Sequence, residues 1–155
     1  MWIGDEEDET VAAVSRRVEA FTGLTASTAE PLQMARYTKG GHYKPHYDMG
    51  NRDAQNNFKI ADMRRVATVL FYLNQPGAGG STVFDQLGLA IRPVAVGSAD
   101  SLGSLVADLT ERGPEMGRPV RWPTASWAAN KWLSERGQER RRPCGLQPQQ
   151  RWGGR

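Results

Sequence analysis

The chain is poor in several features that would have fixed its class at once. It has one cysteine, Cys144, so no disulfide can close within it. No apolar run approaches the roughly 20 residues a helix needs to cross a membrane, so no membrane-spanning helix is expected. Met1-Trp2-Ile3-Gly4 leads straight into Asp5, Glu6, Glu7, Asp8 and Glu9, which supplies neither the basic nor the apolar region of a signal peptide. Arg136, Arg140, Arg141, Arg142, Arg151 and Arg155 crowd the other end, but this stretch lacks a series of interleaved aromatics. It reads as a solvated tail, and no nucleic-acid partner is expected despite a net charge of +3 and a pI near 9.3.

What is present describes an ordinary folded domain. With 155 residues, 39% of them apolar and 24% charged, the chain can build one core, and wholesale disorder is excluded. Both of its histidines fall in one stretch, Gly40-Gly41-His42-Tyr43-Lys44-Pro45-His46-Tyr47-Asp48. In an extended segment the side chains of residues 46 and 48 share a side, with Cα atoms roughly 6.5 Å apart. An imidazole and a carboxylate so placed can converge on one ion, and a face of two histidines and one carboxylate with open positions suits non-haem Fe(II). His42 reads as a loop histidine.

Taken in order, residues 5–22 predict a helix, with acids in its first turn and Val11, Val14, Val18 and Phe21 at three- and four-residue steps. Gly23 ends it. Leu32 to Tyr37 predicts a strand with Leu32, Met34 and Arg36 on one face and Gln33, Ala35 and Tyr37 on the other. A bend at Gly40-Gly41 leads into a histidine strand, and 49–64 reads as a polar surface loop. Val66 to Asn74 is apolar on both faces and reads as a central strand. A glycine-rich turn, a returning strand at Ser81 to Phe84 and a further one within 89–96 follow, while 98–126 shows no convincing alternation. Trp127 to Trp132 again reads as a strand, and Lys131 within it as a solvated side chain. One helix and many short strands predict a mostly β (α+β) sandwich or barrel with the helix packed outside.

Several separated blocks carry a resemblance. Ser27 to Gln33, Tyr37, Gly40 to Asp48, Arg65-Val66-Ala67-Thr68-Val69-Leu70-Phe71-Tyr72-Leu73, Ala78 to Phe84, and Trp127 to Glu139 with Arg141-Arg142-Pro143-Cys144 together resemble the catalytic domain of the collagen prolyl 4-hydroxylase alpha subunit. The resemblance implies a double-stranded β-helix (jelly-roll) core with an N-terminal packing helix over 5–144, incomplete where 97–126 diverges, and a disordered tail over 145–155. It implies a dioxygenase that uses Fe(II), 2-oxoglutarate, O2 and ascorbate to hydroxylate peptidyl proline in collagen-like sequences, giving 4-hydroxyproline, succinate and CO2. His46 and Asp48 match the first two iron ligands, and Tyr37 and Tyr72 match tyrosines that approach 2-oxoglutarate. The family also implies the endoplasmic reticulum lumen and protein disulfide isomerase as a partner, although this chain shows no signal peptide or retention signal and reads as a fragment lacking N-terminal domains.

The resemblance also defines what is missing. The family's third iron ligand, a histidine, falls near Met116, and no histidine follows His46. The lysine that holds the 2-oxoglutarate carboxylate falls at Ser126, and the aromatic strand before the distal histidine and a partner for Cys144 are missing as well. Two alternatives to an active enzyme follow: an impaired or inactive family member that serves as a binding module, or a frame-shifted or mis-spliced gene model between about Val94 and Ser126. Sequencing the transcript across that interval decides the second.

Overall fold

A computed structural model describes residues 1–46, 48, 65–84, 87–94, 104–108 and 126–141. Helix α1 spans Glu9–Thr22. Asp8 starts it with an extended backbone, its carboxylate accepting from the N–H groups of Thr10 at 2.7 Å and Val11 at 3.3 Å. The helix therefore begins later than residue 5, because Gly4 to Glu7 close a turn of their own, with Glu7 N–H donating to the Gly4 carbonyl. The buried stripe is Val11, Ser15 and Val18, while Phe21 is exposed. A 3.6-residue period from Val11 passes nearer Thr22 than Phe21, and the Thr22 hydroxyl turns back onto the Val18 carbonyl at 2.6 Å.

Gly23 stops the helix as expected, with φ of 70° and its N–H bonded to the Glu19 carbonyl at 3.0 Å. A Cβ there would meet nothing within 4 Å, so the only obstacle to a side chain is backbone strain. Gly23→Ala is expected to destabilise the domain by about 1 kcal/mol, read as a lower urea midpoint, with Gly23→Asn less harmful than Gly23→Val.

Strands β1 (Trp2–Ile3), β2 (Leu32–Tyr37), β3 (Arg65–Tyr72), β6 (Ser104–Asp108) and β7 (Ser126–Ser134) form one sheet in the order β1-β2-β7-β3-β6, all neighbours antiparallel. Strands β4 (Thr82–Phe84) and β5 (Leu89–Ile91) form a second, two-stranded sheet. The last strand of the large sheet is inserted between β2 and β3, so its core rests on contacts distant in sequence. The fold is mostly β, with a jelly-roll core and α1 packed on one face of the large sheet.

The two faces of that sheet separate cleanly. Leu32 on β2, Ala67, Val69 and Phe71 on β3, and Ala129 and Leu133 on β7 join Val11 and Val18 of α1 in one core. Alternation sends Gln33, Ala35 and Tyr37, Thr68, Leu70 and Tyr72, and Ser126, Ala128, Asn130 and Trp132 to the opposite face. The cross-strand partners agree: Tyr37 lies opposite Ser126, Leu70 opposite Asn130 and Thr68 opposite Trp132.

Three expectations are corrected. The stretch after Gly41 is not a strand, because His46 forms only an isolated bridge and Asp48 lies in a turn. The interval 98–126 does contribute a strand, β6, paired with β3 from Ala67 to Phe71; lying at the edge of its sheet, it needs pairing on one side only. Lys131 is not solvated but 2% exposed, on the helix face of β7. Its ammonium reaches Asp5 at 3.1 Å, and the Ser15 hydroxyl donates to the same carboxylate oxygen at 2.8 Å. The 49–64 loop, the position near Met116 and the 145–155 tail lie outside the described residues.

Candidate metal and co-substrate site

The site is built on the sheet face opposite α1. Asp48 stands over it, buried, and each carboxylate oxygen has separate partners. Oδ1 is 3.0 Å from His46 Nε2. Oδ2 accepts from the Thr68 hydroxyl at 2.6 Å and from the Trp132 indole N–H at 2.8 Å. Thr68 and Trp132 are cross-strand neighbours on β3 and β7, so the sheet register places both donors under one oxygen.

His46 is held from its other side. Its Nδ1 lies 2.8 Å from the Lys44 carbonyl, an acceptor, so Nδ1 carries a proton. The hydrogen bond to Asp48 is the main cause that raises the His46 pKa above its ordinary value, against the opposing effect of burial. Burial by itself would raise the Asp48 carboxyl, but the hydrogen bonds from His46, Thr68 and Trp132 together outweigh it and hold the group below the usual carboxylate range. His46 and Asp48 thus favour each other's charged forms.

That geometry fits a metal ion. Two donors each about 2.1 Å from an ion and at right angles are about 3.0 Å apart, and His46 Nε2 and Asp48 Oδ1 are separated by 3.0 Å. The Nδ1–H contact to a backbone carbonyl and the double clamp on Oδ2 are the outer hydrogen bonds that commonly orient such ligands. Among the described residues no group of three or more His, Cys, Asp or Glu side chains could hold a metal, so the described site offers two protein donors. His42 is exposed.

The tyrosines lie on the same face. Tyr37 ends β2 opposite the buried Ser126, and Tyr72 ends β3 with its hydroxyl donating to Thr82 Oγ1 of β4 at 2.7 Å. Tyr37 is close enough to Tyr43, Asp48 and Tyr72 for their charges to act on it. Burial raises both phenols above the ordinary value of 10.0. A phenol whose folded pKa is raised stabilises the fold below its unfolded pKa and loses that contribution as pH climbs through the folded value. Phenolate absorbance is expected to lose a late-ionising component in Tyr37→Phe and in Tyr72→Phe, and each variant to flatten the alkaline fall in stability above about pH 10.

A family model described as the 2OG-Fe(II) oxygenase superfamily matches residues 32–141. The chain belongs to this superfamily. Membership implies Fe(II) as the metal and 2-oxoglutarate as the co-substrate. Among similar proteins, prolyl 4-hydroxylase subunit alpha-2 of Caenorhabditis elegans is 41% identical over 150 residues, covering 94% of this chain and 27% of that protein. Subunit alpha-1 of Homo sapiens is 40% identical over 149 residues, again 94% of this chain and 27% of that protein. The chain thus spans little more than a quarter of the length of these relatives. A solved structure of a viral collagen prolyl hydroxylase from Paramecium Bursaria Chlorella virus-1, in complex with 2OG, superposes with a TM-score of 0.65 at 27% identity, covering 86% of this chain and 77% of that one. A Trichoplax adhaerens prolyl hydroxylase, in complex with a hypoxia inducible factor peptide fragment, shares the fold at a TM-score of 0.58 and 21% identity, covering 86% of this chain and 61% of that one.

Sequence reasoning missed Thr68, Trp132, Arg65 and Glu30, which support Asp48. Only Thr68 carried a signal, an aliphatic hydroxyl between Ala67 and Val69 in the apolar run of β3. Ser126, where the resemblance puts a lysine, is fully buried and donates its hydroxyl to Asn74 at 3.1 Å.

Proposed function

We propose that this chain is the catalytic-domain portion of a collagen-type prolyl 4-hydroxylase, with His46 and Asp48 as iron ligands and Tyr37 and Tyr72 beside 2-oxoglutarate. The observation that carries the reading is the 3.0 Å approach of His46 Nε2 to a buried Asp48 whose second oxygen is already occupied. When bound, Fe(II) with 2-oxoglutarate and O2 supplies the oxidising power for C4 hydroxylation of a peptidyl proline, with ascorbate keeping the metal reduced. The chain's own residues hold and orient. The Lys44 carbonyl fixes the His46 ring, Thr68 and Trp132 fix the carboxylate, and His46 would hold the metal through an unprotonated Nε2.

The substrate in this reading is a proline-containing, collagen-like peptide, the partner is protein disulfide isomerase and the compartment is the endoplasmic reticulum lumen. All three rest on the similarity to prolyl 4-hydroxylase alpha subunits. A specific observation favours a second reading, a catalytically impaired member: the described site offers two protein donors, and Ser126 cannot supply the positive charge of a lysine.

The two readings separate in one assay. The protein is incubated with Fe(II), ascorbate, 2-oxoglutarate and a Pro-Pro-Gly repeat peptide, and succinate is measured. Peptide-dependent succinate supports the enzyme, and metal uptake with no succinate supports the impaired member. Absence of both overturns the metal-site assignment.

A further inference from the structure

The hydrogen bonds to Asp48 do not end at its first partners. Trp132, whose indole N–H donates to Oδ2, carries the Arg65 guanidinium 4.0 Å over its ring. Arg65 in turn donates from Nε and Nη2 to both oxygens of Glu30, at 2.5 and 2.8 Å, and reaches the Asp48 carbonyl with Nη1 at 3.4 Å. A bidentate guanidinium–carboxylate pair fixes the plane of the guanidinium, and a plane stacked on an indole fixes the ring beneath it.

Arg65 reaches this face through an irregularity. Arg65 pairs with Ser134 and Ala67 with Leu133, so two steps on β3 match one on β7 and Val66 is the extra residue. Without that bulge, strict alternation would put Arg65 on the helix face with Ala67 and Val69. With it, Val66 and Ala67 both join the core, and Arg65 turns to the site face above Trp132.

We infer that Thr68 and Trp132 are positioning residues that engage one oxygen of Asp48 and leave the other, Oδ1, as a single donor aimed beside His46 Nε2, with the bulge-directed Arg65–Glu30 pair bracing Trp132. The inference rests on the assignment of His46 and Asp48 as metal ligands. A carboxylate free to turn would offer either oxygen or both, and two donors can meet one ion only if each is aimed before the ion arrives.

The test uses Co(II) in place of Fe(II), followed by its visible absorption, with His46→Ala subtracted for binding elsewhere. The thermal midpoint of each metal-free variant is measured beside it. Thr68→Val and Trp132→Phe keep most of the volume and remove only the donor. Each is expected to weaken Co(II) binding about 10- to 100-fold, while Thr68→Ser, which keeps the hydroxyl, stays near wild type. A purely structural role would lower the metal-free midpoint without this pattern. Equal Co(II) affinity in wild type, Thr68→Val and Trp132→Phe overturns the inference and leaves the ligand assignment standing. Absence of Co(II) uptake by the wild type overturns the ligand assignment and this inference with it. Should Trp132→Phe fail to fold, the contrast between Thr68→Val and Thr68→Ser decides.

Discussion

Replacing His46 by alanine is expected to lower the protein's affinity for Fe(II) or Co(II) by more than about 100-fold and to abolish any peptide-dependent release of succinate. Loss of an outer hydrogen-bond partner already costs about 10- to 100-fold, and among the described residues His46 is one of two donors that converge here. The surroundings offer no substitute among the described residues. Lys44 contributes only its carbonyl to the His46 ring, and His42 is exposed. The variant should fold, since His46 is half-buried, in irregular chain, and outside the core beneath α1. Metal titration with circular dichroism as a folding control reads both outcomes. Wild-type affinity in a folded His46→Ala protein would remove His46 from the site.

The second large effect concerns stability and separates two variants that look equivalent. Asp5→Ala is expected to destabilise the domain by about 3 kcal/mol, while Lys131→Met should remain within about 1 kcal/mol of wild type. The asymmetry comes from burial: the Lys131 side chain is 2% exposed and that of Asp5 is 40% exposed. Removing Asp5 strands an ammonium inside the sheet–helix layer, and the Ser15 hydroxyl loses its acceptor as well. Removing the lysine charge lets Asp5 rehydrate, and a methionine fills the channel left by the aliphatic stem. Urea denaturation of both variants measures the difference. Equal losses would mean that the pair acts as an ordinary surface ion pair, worth about 0–1 kcal/mol.

The His46–Asp48 pair also shows how two residues expected to share a side can meet through a different backbone. Two-residue spacing on a strand placed His46 and Asp48 on one side. They do converge, but through a turn at Asp48 rather than a strand. Short sequence separation limits where two side chains can go, so the conclusion survived the change of backbone. Tyr37 and Tyr72 were singled out by the resemblance alone, and alternation in β2 and β3 puts both on the site face.

The misreadings have a common origin in long-range pairing. Lys131 reads as a surface lysine because its partner Asp5 lies 126 residues away. Strand β6 shows little pattern of its own and is specified by the β3 edge it joins. Arg65 could not be placed on the site face, because the bulge at Val66 exists only in the register between β3 and β7.

By itself the sequence determined the helix and its C-terminal stop, the order of most strands and the faces of the regularly alternating ones, and it singled out His46 and Asp48 as neighbours. These depend on local propensity, on side-chain period and on residues close in the chain. Only the tertiary structure decided which oxygen of Asp48 is held and by what, that Lys131 is an internal charge, and that β7 lies between β2 and β3. Each of those depends on groups brought together by burial and strand register from separate parts of the chain, as far apart as the 84 residues between Asp48 and Trp132 and the 126 between Asp5 and Lys131. No local pattern in this chain encodes that distance.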